Sequence, residues 1–271
     1  MMKTLLALII APLALDAQID AHSPLQIPRL ETPPTIDGNL SEWKEVAHSD
    51  GVWDMRRISH TAPYALDRGA RNRLTDHGDE GPIEDDLSAR YYAAWDDTFF
   101  YFGAEVRDNV NDIDDPQPAD KRWYFRDAIC WFMEAPRDRA PELFAQGDNA
   151  FCFTASTQQK PAHAWWRHGA PGIAYAEEPI PQATWQVRFT GHAGDFVLEA
   201  RVEMNSTFGV SDPRWRPPQV GDEYSMEIVH TDPDGKNYGG HFMIYGNGDD
   251  DSTWRPAVLT GPQMPLRRLE E

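Results

Sequence analysis

The chain has 271 residues and a formal net charge of −19, from 25 Lys and Arg against 44 Asp and Glu. That balance argues against nucleic acid and against an anionic membrane surface, since both need a basic patch on the protein. With 41% hydrophobic residues the chain can bury a core, and ten tryptophans leave some aromatic rings for stacking on a ligand.

In chain order, Lys3 and the apolar run Thr4 to Leu15 read as a signal peptide, too short to span a bilayer. Cleavage is expected after Ala17, with Ala21 as second choice, so 1–17 is a leader and 18–32 a proline-bearing lead. The mature protein is expected to be secreted or periplasmic, with no membrane span. Residues 53–88 form a polar insertion without an assigned role.

Period-two alternation dominates from Phe100 onward. Phe100, Phe102, Ala104 and Val106 alternate with Tyr101, Gly103, Glu105 and Arg107, after a turn at Asp96-Asp97. Trp185, Val187 and Phe189 alternate with polar residues, as do Phe196, Leu198, Ala200, Val202 and Met204 with Val197, Glu199, Arg201 and Glu203. Gly191 to Asp195 joins those two runs as a hairpin loop. Met226, Ile228 and His230 alternate in a later strand. Many short strands with polar turns predict an all-β sandwich or barrel. Residues 157–182, with four prolines and the cluster His163-Ala164-Trp165-Trp166-Arg167-His168, read as a long irregular loop that could line a pocket with His241 and Tyr245.

The acidic clusters Asp108, Asp112, Asp114, Asp115 and Asp232, Asp234 could hold calcium, although no EF-hand spacing occurs. No zinc spacing, nucleophile elbow or phosphate loop is present.

Several segments share a pattern: Thr35 to Trp43 (TIDGNLSEW), Arg90 to Phe102, Val106-Arg107-Asp108, Trp123 before Asp127-Ala128-Ile129, Phe196 to Val202, and Ser252 to Arg255. Their order and spacing resemble the family 9 carbohydrate-binding modules, from about Pro33 to Leu269. The resemblance implies one domain over 33–271, a single antiparallel β-sandwich of jelly-roll or immunoglobulin-like type with long loop insertions. It implies non-catalytic binding of a poly- or oligosaccharide, a polysaccharide-degrading enzyme as a partner, and structural calcium. By position, Trp123 and Trp254 resemble the tryptophan pair that sandwiches terminal sugars. Asn247, Asp250, Asp251 and Ser252 stand where they could bond a sugar.

The chain departs from the family at two places. Cys130 stands where the resemblance implies a sugar-binding glutamate, and Cys152 where it implies an arginine. If their strands pair antiparallel, residues summing to 282 face each other, and the cysteines can form a disulfide; two buried thiols are the alternative. Phe132 and Glu134 share the Cys130 face, where Phe132 could form an apolar floor. Two other functions stay open: a carbohydrate-active enzyme on the same scaffold, and a b-type haem domain drawing on Met133, Met204, Met226 or Met243 with a histidine.

Overall fold

The computed structural model describes residues 23–49, 53–54, 87–108, 126–138, 145–155, 164–190, 194–232, 240–246, 248 and 250–263. The leader and most of the 53–88 insertion lie outside them. Among the described residues, no helix is long and apolar enough to cross a membrane.

The strands are β1 (Leu25–Pro28), β2 (His48–Ser49), β3 (Trp53–Asp54), β4 (Leu87–Trp95), β5 (Phe99–Asp108), β6 (Ala128–Glu134) and β7 (Asp148–Thr154), then β8 (Ala164–Ala170), β9 (Ile173–Pro179), β10 (Thr184–Phe189), β11 (Phe196–Glu203), β12 (Glu223–Asp232), β13 (Gly240–Met243) and β14 (Arg255–Thr260). An eight-stranded sheet runs β1-β14-β12-β6-β7-β8-β9, with β13 also on β12. A six-stranded sheet runs β10-β11-β5-β4-β2, with β3 also on β4. Pairing is antiparallel except between β1 and β14, which are parallel, so the expected antiparallel β-sandwich is present with one parallel pair at its edge.

The alternating apolar residues meet between the sheets. Phe102 of the six-stranded sheet stacks on Trp131 of the other, with centroids 4.9 Å apart, and lies 6.0 Å from Phe151 and 6.4 Å from Phe153. Met133, Met204 and Met226 are buried in this core and fill it. His230 also points inward; burial lowers its pKa to about 3, and Nδ1 lies 2.7 Å from the Tyr91 hydroxyl.

The polar side of β11 is not solvated. Glu199 is fully buried beneath the TIDGNLSEW segment. Its Oε2 accepts the N–H groups of Asp37, Gly38 and Asn39 at 2.8, 2.9 and 3.3 Å, and Oε1 accepts Trp43 Nε1 at 2.8 Å. Gly38, at φ +81°, makes the turn that aims these donors. Leu40 and Trp43 then seat on Gly103, where an added Cβ would meet Leu40 at 2.9 Å and Trp43 at 3.2 Å. With Tyr92, Tyr101 and Val197 they form a second apolar cluster outside the six-stranded sheet.

The stretch read as an irregular loop over 157–182 is corrected. It contains the β8–β9 hairpin, turned at Gly172 (φ +78°), with Arg167 opposite Glu177 and His168 opposite Ala176. Alternation is present, but three aromatic and histidine residues facing both ways disguise it: Trp166 and His168 point inward while Trp165 and Arg167 point outward.

Removing the Glu199 acceptor leaves four donors without their bond. Glu199→Ala is expected to lower the unfolding free energy by about 3 kcal/mol, read by urea denaturation; a loss below about 1 kcal/mol would show that the segment holds itself in place.

Candidate functional site

The outer face of the eight-stranded sheet gathers the described site residues into an apolar patch with acidic groups at its ends. The register of β6 and β7 places Cys130 opposite Cys152, Phe132 opposite Ala150 and Glu134 opposite Asp148. Cys130 and Cys152 are joined in a disulfide, 22 residues apart in sequence. Around it pack Ala128, Phe132, Ala150, Val229, Met243 and Trp254, all buried, with Trp165 partly buried at the margin.

Trp254 is the main correction. The sequence makes it an exposed loop ring; the structure leaves it 1% exposed. It meets Phe132 edge-on, with centroids 5.5 Å apart. The 3-10 turn Asp251–Thr253 hands the chain from the loop into β14 and turns the ring onto the sheet. As folded, Trp254 presents no open face. Phe132, expected as an apolar floor, is 5% exposed and covered as well. Trp123 and Asn247 lie outside the described residues.

The covering segment hangs from Glu227. Its carboxylate accepts the N–H groups of Ile228 and Ile244 at 2.8 and 2.7 Å, and those of Tyr245 and Gly246. Burial nevertheless pushes its pKa up to about 8. Gly246 is required for closeness: an added Cβ would lie 2.3 Å from the Thr253 carbonyl oxygen.

Beyond the disulfide the face opens. Cys152 pairs with Trp165, Ala150 with Arg167, and Arg167 with Glu177, so all share this side. Arg167 Nε lies 3.5 Å from Glu177 Oε2, with side chains 18% and 21% exposed. Sequence reasoning named Trp165 and Arg167 within a cluster but not Glu177. Of their neighbours, His168 is stacked on Trp166 at 3.6 Å and lies 3.0 Å from Glu178. Trp166 Nε1 donates to Asn149 at 2.9 Å. The pocket expected from this cluster is therefore divided between the two sides of the sheet.

Two groups of carboxylates converge. Asp108, Asp127 and Asp232 are buried and offer oxygens within 4.8 Å of one another. Sequence reasoning named Asp108 and Asp232 and overlooked Asp127; Asp112 and Asp234 lie outside the described residues. Asp108 is fixed by its own backbone, which donates to Asp195 at 3.1 Å and accepts from Gly194 at 3.1 Å. The residues fit a hard divalent cation, which takes oxygen ligands of this kind.

The second group is Glu134, Asp138 and Asp251, also within 4.8 Å, with Asp148 beside Glu134. Burial, then the charges of Asp251 and Glu134, push the Asp148 pKa up to about 9. Burial pushes Asp251 up to about 6. Glu134 and Asp251, expected to face a sugar, are instead 0% and 2% exposed.

No protein-family model matches the chain, and no curated protein does. Solved structures do. A family 9 carbohydrate-binding module from Caldicellulosiruptor kristjanssonii in complex with cellotriose has a TM-score of 0.55 at 15% identity, covering 91% of this chain and all of that one. The same organism's family 9 module in complex with glucose has a TM-score of 0.54 at 15% identity, covering 90% of this chain and all of that one. The fold is thus shared along nearly the whole chain.

A carboxyl whose folded pKa lies above its unfolded value holds its proton better when folded. Its stabilising effect is complete below the unfolded value and is lost as pH rises through the folded one. For Asp148 that window runs from 3.8 to about 9. In chelator-treated protein the melting temperature should fall across it, and Asp148→Asn should flatten the slope. An unchanged slope in the variant would remove Asp148 as the cause.

Proposed function

We propose that this protein, with the fold of a family 9 carbohydrate-binding module, binds a poly- or oligosaccharide on the outer face of its eight-stranded sheet without transforming it. The observation that carries the reading is the open patch of Trp165 beside the Arg167–Glu177 pair. An indole face accepts the C–H face of a pyranose, while a guanidinium and a carboxylate bond vicinal hydroxyls. The shared fold supports it: similar modules were solved with cellotriose and with glucose.

In this reading the roles shift along the sheet. The disulfide occupies the positions at which the resemblance implies a glutamate and an arginine, and a carboxylate–guanidinium pair stands instead on β8 and β9. Trp254 and Phe132 back the surface, and Trp123 remains the second proposed stacking ring. The leader-like N-terminus and the disulfide support export to an oxidising compartment. There the protein would work beside a polysaccharide-degrading enzyme.

We also assign calcium to Asp108, Asp127 and Asp232. Three carboxylates so close and so buried repel one another, and a divalent cation relieves that repulsion.

A glycan array followed by calorimetry tests the binding reading. Trp165→Ala should weaken the best ligand at least tenfold, and Arg167→Ala should do likewise, with both variants melting near the wild-type temperature. A ligand bound equally well by both variants would move the site elsewhere, and release of shorter sugars would make the protein an enzyme. For the metal, EGTA should lower the melting temperature by several degrees, and Asp127→Asn should reduce that difference.

A further inference from the structure

After the helical turn Phe208–Ser211 the chain runs through Arg214, Trp215 and Arg216, then returns at Asp222 and Glu223 to enter β12 at Tyr224. These residues and Pro136, just beyond β6, line a partly open cavity of about 180 Å³. The end of β6 and the start of antiparallel β12 place it at one end of the sandwich. None of its walls belongs to the Trp165 face or to either carboxylate group. Tyr224 stands five residues before Val229 on β12, and Val229, Cys130, Cys152 and Trp165 follow one another across β12, β6, β7 and β8. Five residues at ~3.3 Å and three strand spacings at ~4.8 Å put the cavity roughly 20 Å from Trp165.

Trp215 is the apolar wall. It packs partly buried on the inter-sheet core, and Gly209 lets it come close, since an added Cβ would stand 3.2 Å from Trp215 Cε3. Its indole N–H faces the hydroxyl of Tyr224, which is itself buried against Phe208 with centroids 5.9 Å apart. The ring is therefore held by the fold before any ligand arrives. The rim is charged but compensated. Arg216 grips Asp222 through Nη2 at 2.6 Å and Nη1 at 3.2 Å, and the Gln219 N–H donates to Asp222 at 2.8 Å. Arg214 is held on Asp212 by contacts of 2.6 to 3.1 Å and reaches Asp138 at 3.0 Å. Yet the Arg214 and Arg216 side chains are 51% and 57% exposed. The two bonds to Asp222 use only two of the five N–H groups of Arg216.

We propose that this cavity is a second sugar site, which takes one neutral pyranose unit at a chain end or branch. Each guanidinium is already neutralised by a bonded carboxylate, and Glu223 adds a further negative charge, so an anion is disfavoured. A neutral ring suits the walls: its C–H face lies on the indole, and its hydroxyls accept from Arg216 and donate to Asp222. Because both charged pairs are fixed in advance, little side-chain freedom is lost on binding. The volume falls below the roughly 300–1,000 Å³ of sites that enclose a drug-sized ligand, so one ring enters and a chain does not. The site stands independently of the Trp165 patch. At that separation a single sugar unit cannot fill both, but a long or branched glycan that engages both gains avidity.

The test is saturation-transfer NMR on the whole protein carrying Trp165→Ala, which silences the face site. The probes are glucose, galactose, mannose and xylose, with glucuronate and galacturonate as anionic counterparts, each at millimolar concentration. At least one neutral sugar should bind, and its signal should fall several-fold when Arg216→Gln or Trp215→Leu is added. Neither uronate should bind. Arg216→Gln alters an exposed side chain and should melt near the parent temperature, so a loss of signal there is a loss of contact rather than of fold. The proposal is overturned if no neutral sugar binds, or if both added substitutions leave binding unchanged. It is equally overturned if a uronate binds as well as the best neutral sugar and is lost in Arg216→Gln, because the cavity is then an anion site. All these outcomes are read with Trp165 already removed, so none of them decides the face site.

Discussion

A carboxylate buried on a sheet face costs several kcal/mol unless donors surround it. Glu199 and Glu227 meet that demand in the same way on opposite sides of the sandwich. Each sits on an outward side of a central strand, and each is capped by consecutive backbone N–H groups from a segment that returns over the sheet. The segment carries a tryptophan with it in both cases: Trp43 over the six-stranded sheet, Trp254 over the eight-stranded one. These anchors create two further apolar layers, so the molecule has a core between its sheets and a smaller cluster outside each.

That arrangement explains where sequence reasoning succeeds and where it stops. Period two assigns the sides of β5, β10, β11 and β12 correctly, and the residues summing to 282 do face each other on β6 and β7. What alternation cannot report is whether an outward side meets water. Glu199 and Trp254 both look solvated from their neighbours, and both are covered by chain far away in sequence. The TIDGNLSEW segment was legible as a pattern, but its physical reason was not: the turn at Gly38 supplies donors to a carboxylate some 160 positions later.

The acidic residues tell a similar story. Composition shows their excess, which alone favours no site. Asp108 and Asp232 belong to runs of nearby aspartates, and that clustering made them candidates; Asp127 has no such neighbours, stands directly before β6, and its backbone carbonyl accepts from Ala155 at 2.8 Å. The second cluster was hidden for a different reason. Glu134 and Asp148 meet through register, but Asp251 joins them only because Glu227 draws its segment back across the sheet.

The disulfide gives this surface its chemistry. A charged pair at positions 130 and 152 would need solvent or ligand above it, since a buried ion pair carries a desolvation penalty that its attraction often fails to offset. A disulfide has no such requirement, so apolar groups can close over it, as Phe132, Val229, Met243 and Trp254 do. Closing that area moves the exposed edge of the patch toward β8 and β9. There Trp165 keeps one side against the cluster while Arg167 and Glu177 retain partial exposure. A sheet face crosslinked at its centre can therefore still present an aromatic ring beside a guanidinium and a carboxylate, two strands nearer its edge.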